Sequence, residues 1–261
     1  MKMAGTVLHQ PVQPDERASE LFFLLASNDR RRILFELQKE NLKLNETARR
    51  LDMTPTEAVR QLQRLTEAGL LEKMPEGKYR LTSYAKIVLD ISSPLDFVAR
   101  FREYFLTHDA SLLPSEYRAR LGELLEGRLM ATTTETFNNT SEMIRNAEES
   151  IDATVEVGFE VHLQMMIQRL GQGVKVRWLT QESFLPKGKS MLGSEKLLPE
   201  MRTTPRLSGH VYVTDKAAAI TLRQNDGSMS LSSIFSEDPS FRKWASDLFA
   251  YNWQNAKPLH L

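Results

Sequence analysis

The chain has 261 residues, of which 41% are hydrophobic and 26% are charged, with 34 basic residues balancing 34 acidic ones. These values are typical of a globular protein that buries a core, and the length favours two domains. Cysteine is absent, which excludes disulfides and thiolate metal sites. The sequence has no run of 18 apolar residues and no apolar signal segment at its start, so we expect a cytoplasmic protein without a membrane partner.

The N-terminal third of the chain carries the spacing of several short helices. Residues 1–14 contain two prolines and no periodic pattern, and we interpret them as a flexible tail. Helical spacing of leucines begins after Asp15. Asn28 is a residue type that favours the N-cap position, so a second helix is predicted from there to about Lys39. A third, short helix is predicted to start at Asn45.

The fourth predicted helix has both of its ends encoded in the sequence. The segment TPTE at residues 54–57 places threonine at the N-cap, proline at the first helical position and glutamate three residues after the cap. Gly69 stands where a left-handed residue commonly ends a helix. The pattern therefore predicts a helix over residues 55–68.

A two-stranded ribbon is predicted to follow this helix. Residues 70–74 and Lys78–Leu81 have strand character, and PEG at residues 75–77 is typical of a tight turn. A helix over residues 82–91 should then end at SSP, residues 92–94, because the residue before a proline avoids the helical conformation.

The rest of the chain alternates between helical and strand patterns. Helices are predicted over residues 94–127 with a break at Pro114, and over 133–150, 159–170 and 240–252. Strands are predicted over 154–158, 174–179, 209–214 and 217–222, the last two as a hairpin that turns at residues 215–216. This order favours an α/β domain. We therefore predict an α+β winged helix-turn-helix domain at residues 15–92, followed by a helical linker and an α/β regulatory domain at 93–261.

The fourth helix is predicted to have two faces of different character. Ala58, Leu62 and Leu65 share one face and should pack on the domain core. The major groove of DNA admits one helix, whose outward side chains contact base edges. The candidates for base contact are the outward residues of this helix: Thr56, Val59, Arg60 and Gln63.

A second set of residues is predicted to contact DNA phosphates. Strand alternation should turn Lys78 and Arg80 outward if Tyr79 and Leu81 point inward. Residues 28–80 hold twelve basic and nine acidic side chains, a small positive excess. The full set of phosphate candidates is Arg30, Arg31, Arg32, Thr54, Arg64, Lys78 and Arg80. Because exposed arginine and glutamine also occur on solvated faces, a protein–protein adaptor that does not bind DNA is the alternative.

Two regions of the sequence resemble known families. Residues 26–37 (ASNDRRRILFEL) and 58–71 (AVRQLQRLTEAGLL) resemble the arsenic-repressor-like winged-helix class. Residues 93–109 (SPLDFVARFREYFLTHD), together with YVTDK at 212–216 and FSEDP at 235–239, resemble the regulatory domain of archaeal methanogenesis-type regulators. The resemblance implies a dimeric archaeal transcriptional regulator whose partners are double-stranded DNA, a second copy of the chain, and an unidentified small-molecule or protein effector.

The second domain is similar in its pattern to the phospholipase-D-like fold, whose active enzymes carry His-x-Lys-x4-Asp. The nearest match begins at His210, but Tyr212 and Ala217 occupy the lysine and aspartate positions. We therefore predict a sensor with no catalytic residue, cofactor or metal, and a degenerate phosphodiesterase is the remaining alternative. Trp178, His210 and Tyr212 are candidates for lining a ligand pocket, and residues 182–195 have the composition of a surface loop.

Dimer contacts are expected from the helices that flank the winged helix. Residues 15–26 and 82–106 are the candidates for this interface. A signal in the second domain would then alter the arrangement of the two recognition helices, provided that its ligand binds one arrangement more tightly than the other.

Overall fold

The computed structural model describes residues 15–155, 160–184 and 198–259. The predicted tail at residues 1–14 and most of the predicted loop at 182–195 lie outside the described residues. The chain divides into two compact units, one ending at Asp90 and the other starting at Ile91. Among the described residues, no helix has the length and apolar character needed to cross a bilayer.

The first unit begins with four helices. They are α1 (Glu16–Leu25), α2 (Asn28–Lys39), α3 (Leu44–Leu51) and α4 (Pro55–Glu67). The N-cap of α2 is Ser27, which is extended and whose hydroxyl accepts the N–H of Arg30 at 3.5 Å. The prediction of Asn28 as the cap is therefore wrong by one residue, since Asn28 already has helical geometry.

Both predicted ends of α4 are confirmed. Thr54 accepts the N–H of Glu57 at 3.2 Å through its side chain, and Pro55 is the first helical residue. At the other end Gly69 has φ +72°, a conformation that costs a residue with a Cβ about 1–2 kcal/mol. The N–H of Leu70 bonds the carbonyl of Leu65 at 2.9 Å, as expected where a left-handed glycine closes a helix.

A small antiparallel sheet completes the first unit. Its strands are β1 (Leu42–Lys43), β2 (Leu71–Lys73) and β3 (Lys78–Leu81), in the order β1-β3-β2. The ribbon of β2 and β3 is the predicted wing, and its turn closes at Gly77 with φ +79°. Strand β1, with only two residues, was not predicted. Three helices, a capped fourth and a ribbon form the predicted winged helix-turn-helix.

The next helix crosses the predicted break. Helix α5 (Ser83–Arg100) contains Pro94 in its interior, so the prediction that the helix ends at residues 92–94 is wrong. A proline inside a helix removes one backbone donor and its ring crowds the carbonyl four residues earlier, at a cost of about 3 kcal/mol or more. Buried Val88 and Leu89 fix the helix before Pro94, and buried Phe97 and Phe101 fix the chain after it. Packing on both sides therefore outweighs the local preference of the proline.

The second unit is built on a mixed sheet of eight strands in the order β11-β7-β6-β5-β8-β9-β10-β4. They are β4 (Arg128–Met130), β5 (Ser150–Val155), β6 (Lys175–Gln181), β7 (Glu200–Thr204), β8 (His210–Thr214), β9 (Ala218–Thr221), β10 (Ser233–Ser236) and β11 (Lys257–Pro258). Strands β5, β6 and β7 are parallel neighbours, whereas β8 joins β5 in antiparallel pairing. The prediction of an α/β domain with a hairpin around residues 215–216 is confirmed by the β8–β9 pairing.

Helices cover both faces of the larger sheet. The helices of this unit are α6 (Arg102–Thr107), α7 (Ser115–Ala119), α8 (Thr133–Asn146), α9 (Glu160–Gly171) and α10 (Pro239–Gln254). On one face Trp244 and Leu248 of α10 share a core with Val211 and Val213. Trp253, further along α10, belongs to the same core.

On the other face of the sheet, residues of α8 and α9 share a second core with strand residues. Ile144 and Leu163 pack in it with Ile151 and Trp178. The two faces are separated by strand alternation, because successive side chains of a strand point to opposite sides of its sheet.

Two predicted elements of the second unit have different bounds in the structure. The helix predicted over residues 133–150 ends at Asn146, because Ala147 is extended and Ser150 already pairs with Lys175. The strand predicted over 154–158 begins four residues earlier, as Ser150–Val155. Residues 156–158 lie outside the described part of the chain.

Candidate nucleic-acid interface

The outward face of α4 carries polar and cationic side chains in solvent. Thr56, Val59, Arg60, Gln63 and Arg64 are all exposed. Val59 has 45% of its surface accessible although it is apolar. The helix therefore presents donors, an amide, a methyl-bearing side chain and positive charge along one side. These are the side-chain types that contact base edges and phosphates in the major groove.

The inward face of α4 holds the helix on the domain. Ala58, Leu62 and Leu65 are fully buried, as the helical spacing predicts. Gln61 is also buried, although the sequence analysis left it out of both faces. Its position three residues after Ala58 places it on the inward side, and the helical period is the signal that could have found it.

Arg30 occupies a different place from the one predicted. It is only 5% exposed, and its guanidinium donates to the carbonyls of Phe23 and Leu24 at 2.9 and 2.6 Å. It also donates to the side chain of Gln61 at 3.4 Å. Burial lowers the pKa of Arg30, with the charge of Arg64 acting in the same direction. Arg30 ties α1 and α4 to α2, so its prediction as a phosphate contact is corrected to a structural role.

The two arginines that follow are more accessible. Arg31 is half-buried, whereas Arg32 is exposed. Arg32 donates to the carbonyl of Leu51 at 2.9 Å and lies 3.9 Å from Asp29. One of its donors therefore satisfies the last turn of α3, where carbonyls lack helical partners.

The wing presents cations on both of its strands. Arg80 is exposed and bonds Glu72 across the ribbon at 2.7 Å, in register with it. Lys78 is half-buried. Lys73 is an exposed lysine that the sequence analysis missed, and its ammonium lies 5.8 Å from the ring centre of Tyr79. Strand alternation could not have found it, because Lys73 is paired with Tyr79 and therefore lies on the face that was predicted to point inward.

Several of these side chains have partners at the surface. Arg60 lies 3.9 Å from Glu57, and Gln63 donates to Glu67 at 2.8 Å. Exposed ion pairs of this kind contribute about 0–1 kcal/mol. A phosphate or base edge can therefore displace these partners at small cost, while the buried contacts of Arg30 would not be exchanged.

Two of the three predicted pocket residues in the second unit lie together. His210 and Tyr212 line a cavity on the face of the sheet that α8 and α9 cover. Trp178 is fully buried in the adjacent apolar core and is not among the described lining residues, so its prediction is corrected. Its indole N–H has no hydrogen-bond partner among the described residues.

A capped helix with a cationic outward face, together with a cationic wing, is the arrangement of winged helix-turn-helix DNA-binding proteins. Comparison with protein families agrees with this class. A model described as the arsR family of bacterial regulatory proteins matches residues 27–73, and one described as the middle domain of the methanogenesis regulatory protein FilR1 matches residues 133–255. The chain is therefore a DNA-binding transcriptional regulator with an arsR-family domain and a FilR1 middle domain.

The solved structures that match the chain are distant from it in sequence. TrmBL2, described as an archaeal chromatin protein, is 17% identical over 94% of this chain and 100% of its own, with a TM-score of 0.41. NucT from Helicobacter pylori is 13% identical over 51% of this chain and 98% of its own, with a TM-score of 0.42.

A third structure is the phospholipase D family member Nuc from Salmonella typhimurium. It is 11% identical over 52% of this chain and 100% of its own, with a TM-score of 0.41. The search of curated proteins gave no match.

Replacing Arg30 with alanine should destabilise the first unit. The change leaves Gln61 and two backbone carbonyls without their charged donor, and we expect the free energy of unfolding to fall by about 2–4 kcal/mol. Urea unfolding of the full chain, followed by circular dichroism, measures the change. Arg60→Ala removes the same charge from an exposed position and should cost less than about 0.5 kcal/mol. Equal stability of the two variants would contradict the structural role of Arg30.

Proposed function

We propose that two copies of the chain bind DNA together, each placing α4 in the major groove and its wing on the adjacent backbone. The observation that carries the proposal is the division of α4 into a fully buried apolar face and an exposed polar face. Thr56, Val59, Arg60 and Gln63 would contact base edges. Two recognition helices on one face of the duplex would lie about 34 Å apart, one turn of DNA.

Phosphate contacts are proposed for residues around this helix. Thr54 lies at the start of α4, where backbone N–H groups favour an anion. Arg64, Arg31, Lys78 and Arg80 would add positive charge to the same surface. Arg32 is proposed as a weaker contact, because it already bonds the end of α3.

Association of two copies is supported by apolar side chains that α1 and α5 leave in solvent. Phe22 and Phe23 of α1 are 62% and 73% exposed. On α5 the exposed residues Tyr84, Ile87 and Ile91 are 49%, 58% and 68% exposed. Their spacing of three and four residues is that of a coiled-coil seam, which buries such a stripe against a second helix.

The second unit is proposed as the part that receives a signal and not as a phosphodiesterase. His210 is present in β8, but Tyr212 stands where the enzymes of the phospholipase D type carry lysine. Without a cation at that position, the negative charge of a phosphodiester would be left unpaired. A ligand would influence DNA binding by favouring one arrangement of the dimer.

Arg60→Ala should weaken binding to a selected operator by about 1–3 kcal/mol and relax the sequence preference, because a base contact is lost. Selection of bound sequences from random DNA, followed by titration of the selected site, measures both effects. Arg145→Ala makes the same charge change at an exposed position of α8 and should leave the preference unaltered. A wild-type preference in the Arg60 variant would remove this residue from the base contacts.

Lys78→Ala should weaken binding to all sequences alike, because a phosphate contact carries no sequence information. The slope of log K against log salt should decrease by about one unit. Fluorescence anisotropy at several salt concentrations gives the slope, with Lys175→Ala on β6 as the charge-matched control. An unaltered slope would place the wing off the DNA. Absence of salt-dependent binding in the wild type would favour the adaptor function.

Ile87→Glu should dissociate the dimer, since a carboxylate in an apolar seam would be desolvated without a partner. Sedimentation velocity of the full chain reports the oligomeric state. Lys86→Glu introduces the same side chain at the neighbouring exposed position and should leave the dimer intact. A wild-type chain that sediments as a monomer, or an unaffected Ile87 variant, would count against association through α5.

A further inference from the structure

The cavity in the second unit lies where the large sheet changes from parallel to antiparallel pairing. Strand β5 is parallel to β6 on one side and antiparallel to β8 on the other. Ligands of open α/β sheets commonly bind beyond the carboxyl ends of the parallel strands, and the cavity lies at that end of β5. The regular β5–β8 pairing ends at Ala153 and Tyr212.

Where β5 and β8 separate, a side chain makes the hydrogen bonds that backbone groups make along the rest of the pair. The hydroxyl of Thr154 accepts the N–H of Val211 at 2.6 Å and donates to the carbonyl of the same residue at 3.2 Å. Thr154 thereby satisfies the next backbone groups of β8, and it also lines the cavity. Beyond Ala153, β5 and β8 are therefore joined by the Thr154 hydroxyl and not by a further pair of backbone hydrogen bonds.

The described walls of the cavity are rich in hydroxyl groups. The lining residues contribute six aliphatic hydroxyls, one phenol and two imidazoles, with three apolar side chains: Thr136, Thr140, Thr154, Thr221, Ser230, Ser233, Tyr212, His162, His210, Ala219, Met229 and Leu231. No carboxylate, lysine or arginine is among these described lining residues. The cavity has a volume of about 60 Å³ and opens to solvent at its mouth, so it would enclose only part of a small molecule.

Two side chains of the cavity wall have shifted pKa values, and each shift favours the uncharged form of the group. Burial lowers the pKa of His162, although its contact with the carbonyl of Phe137 opposes the shift. Nε2 of His162 lies 3.2 Å from that carbonyl oxygen, which can only accept, so this nitrogen carries the proton of the neutral ring. Burial also raises the pKa of Tyr212 to about 12, so its phenol remains a hydroxyl.

Contacts on either side hold the wall in place. The ring of His162 stacks on Phe137 at 4.6 Å and also bonds the hydroxyl of Ser141 at 2.9 Å. Across the cavity, Ser230 and Ser232 are joined at 2.8 Å. Donors and acceptors fixed in this way recognise a ligand without the cost of ordering them on binding.

We propose that this cavity binds an uncharged small molecule that carries several hydroxyl groups. A ligand hydroxyl both donates and accepts, so it can pair with a wall hydroxyl in either sense; the Thr154 hydroxyl, whose proton is already donated to Val211, can only accept from it. A charged ligand would leave its charge unpaired against this wall, which is costly in a desolvated site. The proposal rests on the proposed function of the second unit as a receiver of signals and gives that signal a chemical class.

Matched pairs of compounds that differ by one phosphate test the charge of the ligand. Glucose, myo-inositol and adenosine are compared with glucose 6-phosphate, myo-inositol 1-phosphate and adenosine monophosphate by calorimetric titration of the full chain at pH 7.5. We expect saturable binding of at least one neutral compound, with its phosphate bound at least tenfold more weakly. Tighter binding of the phosphate in each pair that binds, or no binding of any neutral compound at 10 mM, would overturn the proposal.

Two variants then place the bound compound in the cavity. Thr140→Val on α8 and Thr221→Val on β9 each remove one hydroxyl while keeping the branched shape, and each should raise the Kd about three- to tenfold. Thr134→Val makes the same change at an exposed position of α8 and should bind as the wild type does. Thermal unfolding checks that each variant is folded. Wild-type Kd values in both folded cavity variants would place the ligand elsewhere and overturn the assignment.

The titrations contain no DNA, so they succeed or fail independently of the proposed DNA contacts. The bound compound is then added to the operator titration. A change in operator affinity that is lost in Thr140→Val connects the cavity to regulation. Ligand binding with no change in operator affinity retains the site and counts against its proposed role as the signal receiver.

Discussion

The helix proposed to enter the groove, α4, is held to its own protein by one face only, and two kinds of contact make that attachment. Ala58, Leu62 and Leu65 supply the apolar part of the attachment. The guanidinium of Arg30 supplies the polar part, because it reaches Gln61 on α4 while bonding carbonyls at the end of α1. The outward side chains of α4 make only weak surface contacts with neighbouring acidic residues. Their substitution should therefore leave the fold intact.

Local sequence signals predicted the elements of the first unit well. The ends of α4 depend on a threonine cap, a first-turn proline and a left-handed glycine, and each acts within a few residues of the chain. The β8–β9 hairpin was predicted for the same reason, since its strands are adjacent in sequence. In these places the interactions that determine the structure lie within one short window, and a single sequence contains all of them.

Where distant residues decide the structure, the predictions were wrong or absent. Arg30 was placed outside because it is charged, yet it lies three residues before Ile33 on the buried side of α2. A partner 31 residues away, Gln61, makes that burial possible. Pro94 was expected to end a helix that packing on both sides sustains. The order of the eight strands, and with it the cavity where β5 and β8 separate, depends on pairing that the sequence pattern does not specify.

The tryptophan side chains, which dominate protein fluorescence, are distributed unevenly between the two units. All three tryptophans, Trp178, Trp244 and Trp253, belong to the second unit, and the first unit has Tyr79 and Tyr84 as its larger chromophores. Trp178 and Trp244 sit in the cores on opposite faces of the large sheet. Emission excited at the red edge of the absorption band therefore originates in the second unit alone. Loss of order in the DNA-binding half would remain silent in that signal, so the two halves can be followed separately in an unlabelled chain.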